Sequence, residues 1–440
     1  MKSVSIRISE SRLKIMPSNA HQASDLKQMQ SLPLEAKIMM TKQRIKVWYE
    51  SWVRFEIYDK ATGKTRFATI DTRDRNAEPP MKETEYIESA VDGQVYVSFS
   101  GGKDSTVLKH IVDSMYDDVP SLFVNTGLEY PEIQKFAMSQ KNVVTIRPEM
   151  RFDEVIKKYG YPVVSKEVAR RVQYSKSAIQ RGVQDTYRDY LLLTGQYKAP
   201  DGSKSPYCCD KWEFLLNADF PISSDCCTVM KKKPAKKYEK ETGRKPIIGT
   251  LAAESRLRFQ KWLQNGCNSF EKGRPSSQPL SFWTEQDILH YIKKYMQKDF
   301  DKAWDAAKNA HGYERRKARK FIKSMNYRRY AYCSVYGDIQ VKSESEDNIE
   351  GQMNLIDYLG CYEPEDLLET TGCNRTGCIF CVFGCHLEKE PNRFQKLKQT
   401  HPRQYQYCIG GGEMIDGKWQ PSKEGLGLGK VLDYIGVKYD

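Results

Sequence analysis

Six consecutive residues, Ser100-Gly101-Gly102-Lys103-Asp104-Ser105, bring paired glycines, hydroxyls, an ammonium and a carboxylate into one short span of chain. Adjacent glycines let the backbone turn tightly and present its N–H groups to phosphate oxygens. A helix beginning there points the positive end of its dipole at the same place. Ser100, Ser105 and Thr106 add hydroxyls, Ser98 stands just ahead of them, and Lys103 adds a point charge. The run therefore reads as a phosphate-binding loop. It differs from the Gly-x-x-x-x-Gly-Lys-Ser/Thr loop because its glycines are adjacent.

Thiols are the second reactive group. The first residues, Met1–Arg7, lack the continuous apolar core of a secretory signal. Twelve cysteines in such a chain point to metal ligands or nucleophiles rather than a disulfide scaffold, and to the cytoplasm. Cys373, Cys378, Cys381 and Cys385 are spaced closely enough to hold a zinc ion or an iron–sulfur cluster by themselves. Cys226-Cys227 and Cys208-Cys209 are adjacent pairs. The formal charge of +13 favours polyanionic partners, nucleotides and nucleic acids alike. Two basic runs sharpen this: Lys231-Lys232-Lys233 with Lys236-Lys237, and Arg315–Lys320 leading into Phe321, Tyr327, Arg328, Arg329 and Tyr330. Cations interleaved with aromatics hold phosphates and stack bases, although solvated helix faces look the same.

The loop needs a strand before it and a helix after it. Val95, Val97 and Phe99 alternate with Tyr96 and Ser98, the pattern of a strand with one face buried deeper than the other. Val107, Leu108, Ile111, Val112 and Met115 recur at helical spacing. Apolar runs at Ser121–Asn125, Asn142–Ile146 and Pro246–Gly249 add strands, separated by helix-compatible sequence. This alternation implies an α/β fold, a mostly parallel doubly wound sheet that binds ligands at the C-terminal ends of its strands. The loop and the turn Thr126–Pro131 would meet there. Leu34–Trp52 suits an amphipathic helix, Arg54–Glu88 a small inserted hairpin, and Thr284 the N-cap of a further helix. The expected organisation is a flexible tail (1–33), a helix and hairpin (34–90), a nucleotide-binding domain (91–300), a basic helical segment with the acidic linker Ser343–Glu350 (301–350), and a cysteine-rich region (351–440).

The form Ser-Gly-Gly-x-Asp-Ser resembles the PP-loop of the N-type ATP pyrophosphatases and of the phosphoadenylyl-sulfate (PAPS) reductase family. Thr126-Gly127, Gly160-Tyr161-Pro162-Val163-Val164-Ser165, Gly249–Arg258 and Pro279–Ile288 resemble later elements of that family. The resemblance implies an adenine nucleotide alpha hydrolase-like fold. It assigns nucleotide binding to Ser98, Ser100, Gly101, Gly102, Lys103, Asp104, Ser105, Thr106, Thr126 and Gly127, with Glu129 and Tyr130 near the sugar or base. Ser165 and Lys166 become second-tier contacts, and Arg256 and Arg258 a phosphate or sulfate clamp, for which guanidinium forks are suited. Cys226-Cys227, followed by Lys231, resembles the double-cysteine element of iron–sulfur sulfonucleotide reductases. Its partner would be Cys378-Ile379-Phe380-Cys381, making a [4Fe–4S] cluster or a zinc site from two segments. The local set of four remains the alternative.

Two chemistries are implied for one loop. In the first, Gly101, Gly102 and Lys103 hold the β- and γ-phosphates of ATP and Asp104 helps place Mg²⁺; Lys103 and Asp104 are then the catalytic pair. An acceptor is adenylated, pyrophosphate leaves, and sulfur is transferred from a donor protein of desulfurase or thioredoxin-like type, with nucleic acid as one acceptor. In the second, the loop holds PAPS and a cysteine attacks sulfur, releasing sulfite. That reaction uses a Glu-Cys-Gly-x-x-His-like tail, which Gly384-Cys385-His386 and Tyr407-Cys408-Ile409 echo only in part. Adenylation is therefore the leading expectation, and a binding module without catalysis the third. No apolar run is long enough for a membrane span.

Overall fold

The computed structural model describes residues 21–74, 77–270, 273–297, 310–317, 335–342, 366–373 and 376–440. The chain opens with α1 (Ala23–Gln30) and α2 (Leu34–Glu50). Leu34, Ile45 and Trp48 of α2 are buried in the main core, with Trp48 packed against Trp52 and Phe270. Next come β1 (Trp52–Asp59), β2 (Lys64–Asp71) and β3 (Glu85–Val91), an antiparallel sheet of order β2-β1-β3 with its own small core of Val53, Phe55 and Ile57. The segment expected as a hairpin thus gains a third strand. Most of β3 stays exposed, so no apolar run announces it.

The second sheet is laid down by β4 (Val95–Phe99), α3 (Lys103–Asp113), β5 (Ser121–Val124), α4 (Pro131–Ser139), β6 (Val143–Ile146), α5 (Phe152–Tyr159), α6 (Lys166–Gln180), α7 (Arg188–Leu193), α8 (Lys233–Thr242), β7 (Lys245–Ile248), α9 (Arg256–Asn265), β8 (Asn268–Ser269), β9 (Ser276–Ser277) and α10 (Glu285–Tyr291). Its order is β6-β5-β4-β7-β9-β8, parallel throughout except for the β8–β9 pair. This is the mostly parallel α/β architecture that the alternating pattern implies. In one respect the strand pattern misleads: Tyr96 is as buried as Val95 and Val97, its hydroxyl donating to Glu239 at 2.8 Å. A central parallel strand is covered on both faces, so its alternation carries no polar side.

After α10 the chain returns over the sheet's C-terminal edge as a hairpin, β10 (Ile339–Val341) and β11 (Leu368–Thr370). Gln286 of α10 grips it with both ends of its amide: Oε1 accepts from the Leu368 N–H at 2.8 Å and Nε2 donates to the Leu368 carbonyl at 2.9 Å. The end of the chain forms α11 (Arg393–Thr400), α12 (Pro402–Ile409), the hairpin β12 (Glu413–Ile415) and β13 (Lys418–Gln420), and α13 (Leu428–Tyr434). Leu397, Cys408, Leu428 and Leu432 are sealed in the main core, so this end is packed onto the sheet domain. Residues 318–334, with Phe321 and Tyr327–Tyr330 of the basic aromatic run, and the linker Ser343–Glu350 lie outside the described residues. Among those described, no helix is long and apolar enough to cross a membrane.

Candidate active site

The loop joins β4 to α3 at the C-terminal edge of the sheet, as the sequence leads one to expect. Gly101 takes φ +72°, and a Cβ there would stand 2.8 Å from Ile133 Cγ2, so conformation and space both require glycine. The hydroxyls expected to face phosphate also brace the loop. Ser105 Oγ bonds the Gly102 carbonyl and the Ser100 N–H, and Thr106 Oγ1 donates to the same carbonyl at 2.8 Å. Gly249, at the end of β7, closes the other side: a Cβ there would lie 3.0 Å from the Asp104 carbonyl oxygen. Lys103 is buried, its ammonium ion-paired to Glu285, and its backbone N–H donates to the Tyr336 hydroxyl at 3.0 Å.

The adjoining turn is built from its own side chains. Gly127 takes φ +72°, its N–H donates to Asn125 Oδ1 at 3.1 Å, and Thr126 donates through its N–H and hydroxyl to Glu129. One residue on, the Leu128 carbonyl accepts the Ile379 N–H at 2.8 Å. That bond ties the turn beside the loop to the Cys-x-x-Cys segment.

Behind it Cys226, Cys227, Cys378 and Cys381 line one small cavity, with Lys231, Leu128 and Phe152 among its other walls. Cys226-Cys227 lead into a π-turn at Thr228–Lys232, which places Lys231 one turn above Cys227. Cys378 and Cys381 share a tight turn in which the Cys381 N–H donates to the Cys378 carbonyl at 3.0 Å. The Cys226 and Cys227 sulfurs are 4.0 Å apart, and among the described residues no three His, Cys, Asp or Glu groups stand ready-made as a metal shell. The electrostatics single out one thiolate, Cys227, among thiols that burial holds neutral. A hydrogen bond from Cys226, reinforced by the Lys166 and Lys231 ammonium groups, holds the Cys227 thiol well below its ordinary range. The same bond, with burial, drives Cys226 upward. Burial pushes Cys378 up to about 11 against the pull of Lys231. Burial disfavours the Lys231 charge, yet Cys378 and Glu129 outweigh it and keep the ammonium protonated.

Other expected residues fall elsewhere. Of the local set, Cys373 lies against the Tyr130 hydroxyl at 3.7 Å and Cys385 is buried with its thiol pushed up to about 12, so neither lines the cavity. Cys209 accepts from Arg171 at 3.2 Å, and Cys208 leans on the Tyr197 carbonyl; this pair also stands apart. Arg258 is ion-paired to Glu254, and Arg256 lies over the Tyr207 ring at 5.5 Å, so both guanidinium groups meet partners within the chain. Ser165 caps α6, accepting from the Val168 N–H at 3.1 Å, which sets Lys166 toward Cys227. The preceding Val164 sits at φ +61°, a strained position for a β-branched residue, with its carbonyl fixed by the Gly384 N–H. The contacts that Tyr336, Thr376 and Glu285 make with the loop leave no signal in the sequence. Glu285 reads only as a first-turn helix acid, and Tyr336 has no local pattern.

Three comparisons bear on the chain. Residues 94–205 match the family model described as the phosphoadenosine phosphosulfate reductase domain. An uncharacterized protein of Methanocaldococcus jannaschii is 33% identical over 72 residues, which are 16% of this chain and 18% of that protein. The chain thus spans about a fifth of that relative's length. The crystal structure of a PAPS reductase from Candida auris, in a phosphate complex, aligns over 46% of this chain and 73% of its own, with 16% identity and a TM-score of 0.25.

Proposed function

Taking as premise that residues 94–205 belong to the phosphoadenosine phosphosulfate reductase domain family, we propose that this protein is an ATP-dependent enzyme that adenylates an acceptor and couples the activation to sulfur transfer. The observation that carries the reading is the Ile379 N–H to Leu128 carbonyl bond, because it ties the turn after β5, the strand paired with the loop's own β4, to the segment that brings Cys378 and Cys381 to the cavity. A nucleotide in the loop and the four cysteines would then lie on linked segments at one edge of the sheet.

In this reading the N–H groups of Gly101 and Gly102 and the Lys103 ammonium receive the β- and γ-phosphates. An acceptor oxygen attacks the α-phosphorus, the bridging P–O bond breaks, and the loop takes up the charge of the departing pyrophosphate. Asp104 is the carboxylate that would hold Mg²⁺, whose charge offsets that of the phosphates. Sulfur from a donor then displaces AMP from the acceptor. Cys226, Cys227, Cys378 and Cys381 fit a soft metal group: four sulfurs from two segments, with Lys166 and Lys231 beside them to offset thiolate charge. They would hold a [4Fe–4S] cluster, or zinc, which when bound supplies a Lewis-acidic or electron-carrying centre next to the nucleotide. Nucleic acid suits the acceptor role, given the charge of +13 and the exposed lysines Lys232, Lys233, Lys236 and Lys237.

Sulfonucleotide reduction is the second reading, since the same loop would accept PAPS. It needs an accessible attacking thiol, and Cys385 and Cys408 are buried with their thiols pushed upward by that burial. The deciding experiment incubates the protein with ATP and with PAPS in separate reactions, following pyrophosphate in one and sulfite in the other. Pyrophosphate release supports adenylation, sulfite release supports reduction, and neither product supports a binding module.

A further inference from the structure

The N-terminus of α3 and the loop lysine, the two groups that would receive phosphate, are both engaged by other parts of the chain. Tyr336 is 1% exposed, and its hydroxyl accepts the Lys103 N–H at 3.0 Å while sharing a hydrogen bond with Thr376 Oγ1. A Cβ on Gly102 would lie 3.2 Å from Thr376 Oγ1 and 3.4 Å from the Tyr336 hydroxyl, so the two side chains lie directly against the loop. Glu285 holds the ammonium of Lys103. These partners are not independent. Tyr336 leads into β10, whose hairpin partner β11 is gripped by Gln286, the residue after Glu285. The Tyr336 carbonyl accepts the Gly372 N–H and the Val335 carbonyl the Cys373 N–H, both at 2.7 Å. The strap across the phosphate loop is therefore continuous with the chain that delivers Cys373 and then Cys378.

We propose that Tyr336 and Glu285 hold the phosphate loop in a self-occupied state, and that a bound nucleotide's phosphate displaces the Tyr336 hydroxyl from the Lys103 N–H and loosens the strap leading to the cysteine cavity. The competition is chemical. An anionic phosphate oxygen is a stronger acceptor at a helix N-terminus than a neutral phenol, and a carboxylate and a phosphate cannot both sit on one buried ammonium at full strength. Burial keeps the Tyr336 phenol protonated, so the displaced group is a neutral hydroxyl that can turn wholly to Thr376. Nucleotide occupancy and the environment of the thiols become one equilibrium, each biasing the other.

The inference rests on the nucleotide reading above, and its test separates the two. ATP and inorganic pyrophosphate are titrated calorimetrically into the full chain and into Tyr336→Phe, which keeps the ring and removes the hydroxyl. Tyr336→Phe removes the hydroxyl that competes for the Lys103 N–H, so the variant should bind about 3- to 10-fold more tightly. Equal or weaker binding overturns the proposal while leaving nucleotide binding intact. No binding by either protein removes the nucleotide reading and the proposal with it. Hydrogen exchange on the wild-type chain gives a readout that needs no variant. Saturating ATP should speed exchange in peptides covering 335–342 and 366–373, and unchanged or slower exchange there overturns the displacement.

Discussion

The glycine loop and the cysteine cavity are linked through the turn after β5, whose Leu128 lines the cavity and whose strand pairs with β4, but they are built in opposite ways. The loop is a contiguous run whose turn, hydroxyl bracing and helix start arise from residues within a few positions of one another. The cavity is assembled from Cys226-Cys227 and Cys378–Cys381, held together by packing and by the bond between Ile379 and Leu128. A locally encoded site is fixed once its strand and helix form. A site assembled from distant segments depends on every element that docks them.

The contrast can be broken or sharpened by experiment. The largest effect should come from the loop: Lys103→Ala or Asp104→Ala should lower pyrophosphate release by about 10²- to 10³-fold, the cost of losing a group that stabilises transition-state charge. Circular dichroism should show the fold retained, and near-normal turnover would remove the loop from the chemistry. At the cavity, anaerobically purified wild-type protein should contain iron that Cys227→Ser and Cys378→Ser lose and Cys373→Ser keeps. Metal analysis reads this directly. Loss in Cys373→Ser with retention in Cys227→Ser would return the assignment to the local cysteine set, and zinc in place of iron would reject the cluster. Lys231→Met, of similar volume, removes the ammonium that faces Cys378 and should weaken metal retention about 10- to 100-fold in a chelator competition. Gly101→Ala should destabilise the chain by about 1–2 kcal/mol through its left-handed φ alone, measured by urea unfolding.

The smallest effect lies in the antiparallel sheet, which neither site uses. Arg66, with the Lys82 N–H, holds the Glu85 carboxyl down to about 2 from its ordinary 4.5. A carboxylate whose value is depressed on folding contributes stability that is complete above about 4.5 and lost as pH falls through about 2. Acid titration of the sheet's hydrogen exchange should show loss in that window, and Arg66→Met should flatten it.

Legibility follows the same division. Strands β4, β5, β6 and β7 begin and end within a residue of the expected runs, because short apolar stretches between turn residues mark buried parallel strands. Thr284 caps α10 as its type and spacing imply, accepting from the Asp287 N–H. β3 was invisible because exposed side chains leave no pattern. The engagement of Arg258 by Glu254 and of Arg256 by Tyr207 was equally hidden, since a sequence does not say which partner a guanidinium meets.

By itself, then, the sequence determined the glycine loop between β4 and α3, the parallel α/β frame around it and the supply of thiols, all of which rest on interactions between near neighbours. Tertiary structure showed which of the two cysteine sets offered by the sequence lines one cavity, put Lys166 and Lys231 beside Cys227, and set Tyr336 on the helix start. Those outcomes depend on contacts between residues far apart in the chain, where burial and charge are properties of the packed assembly and leave no local trace.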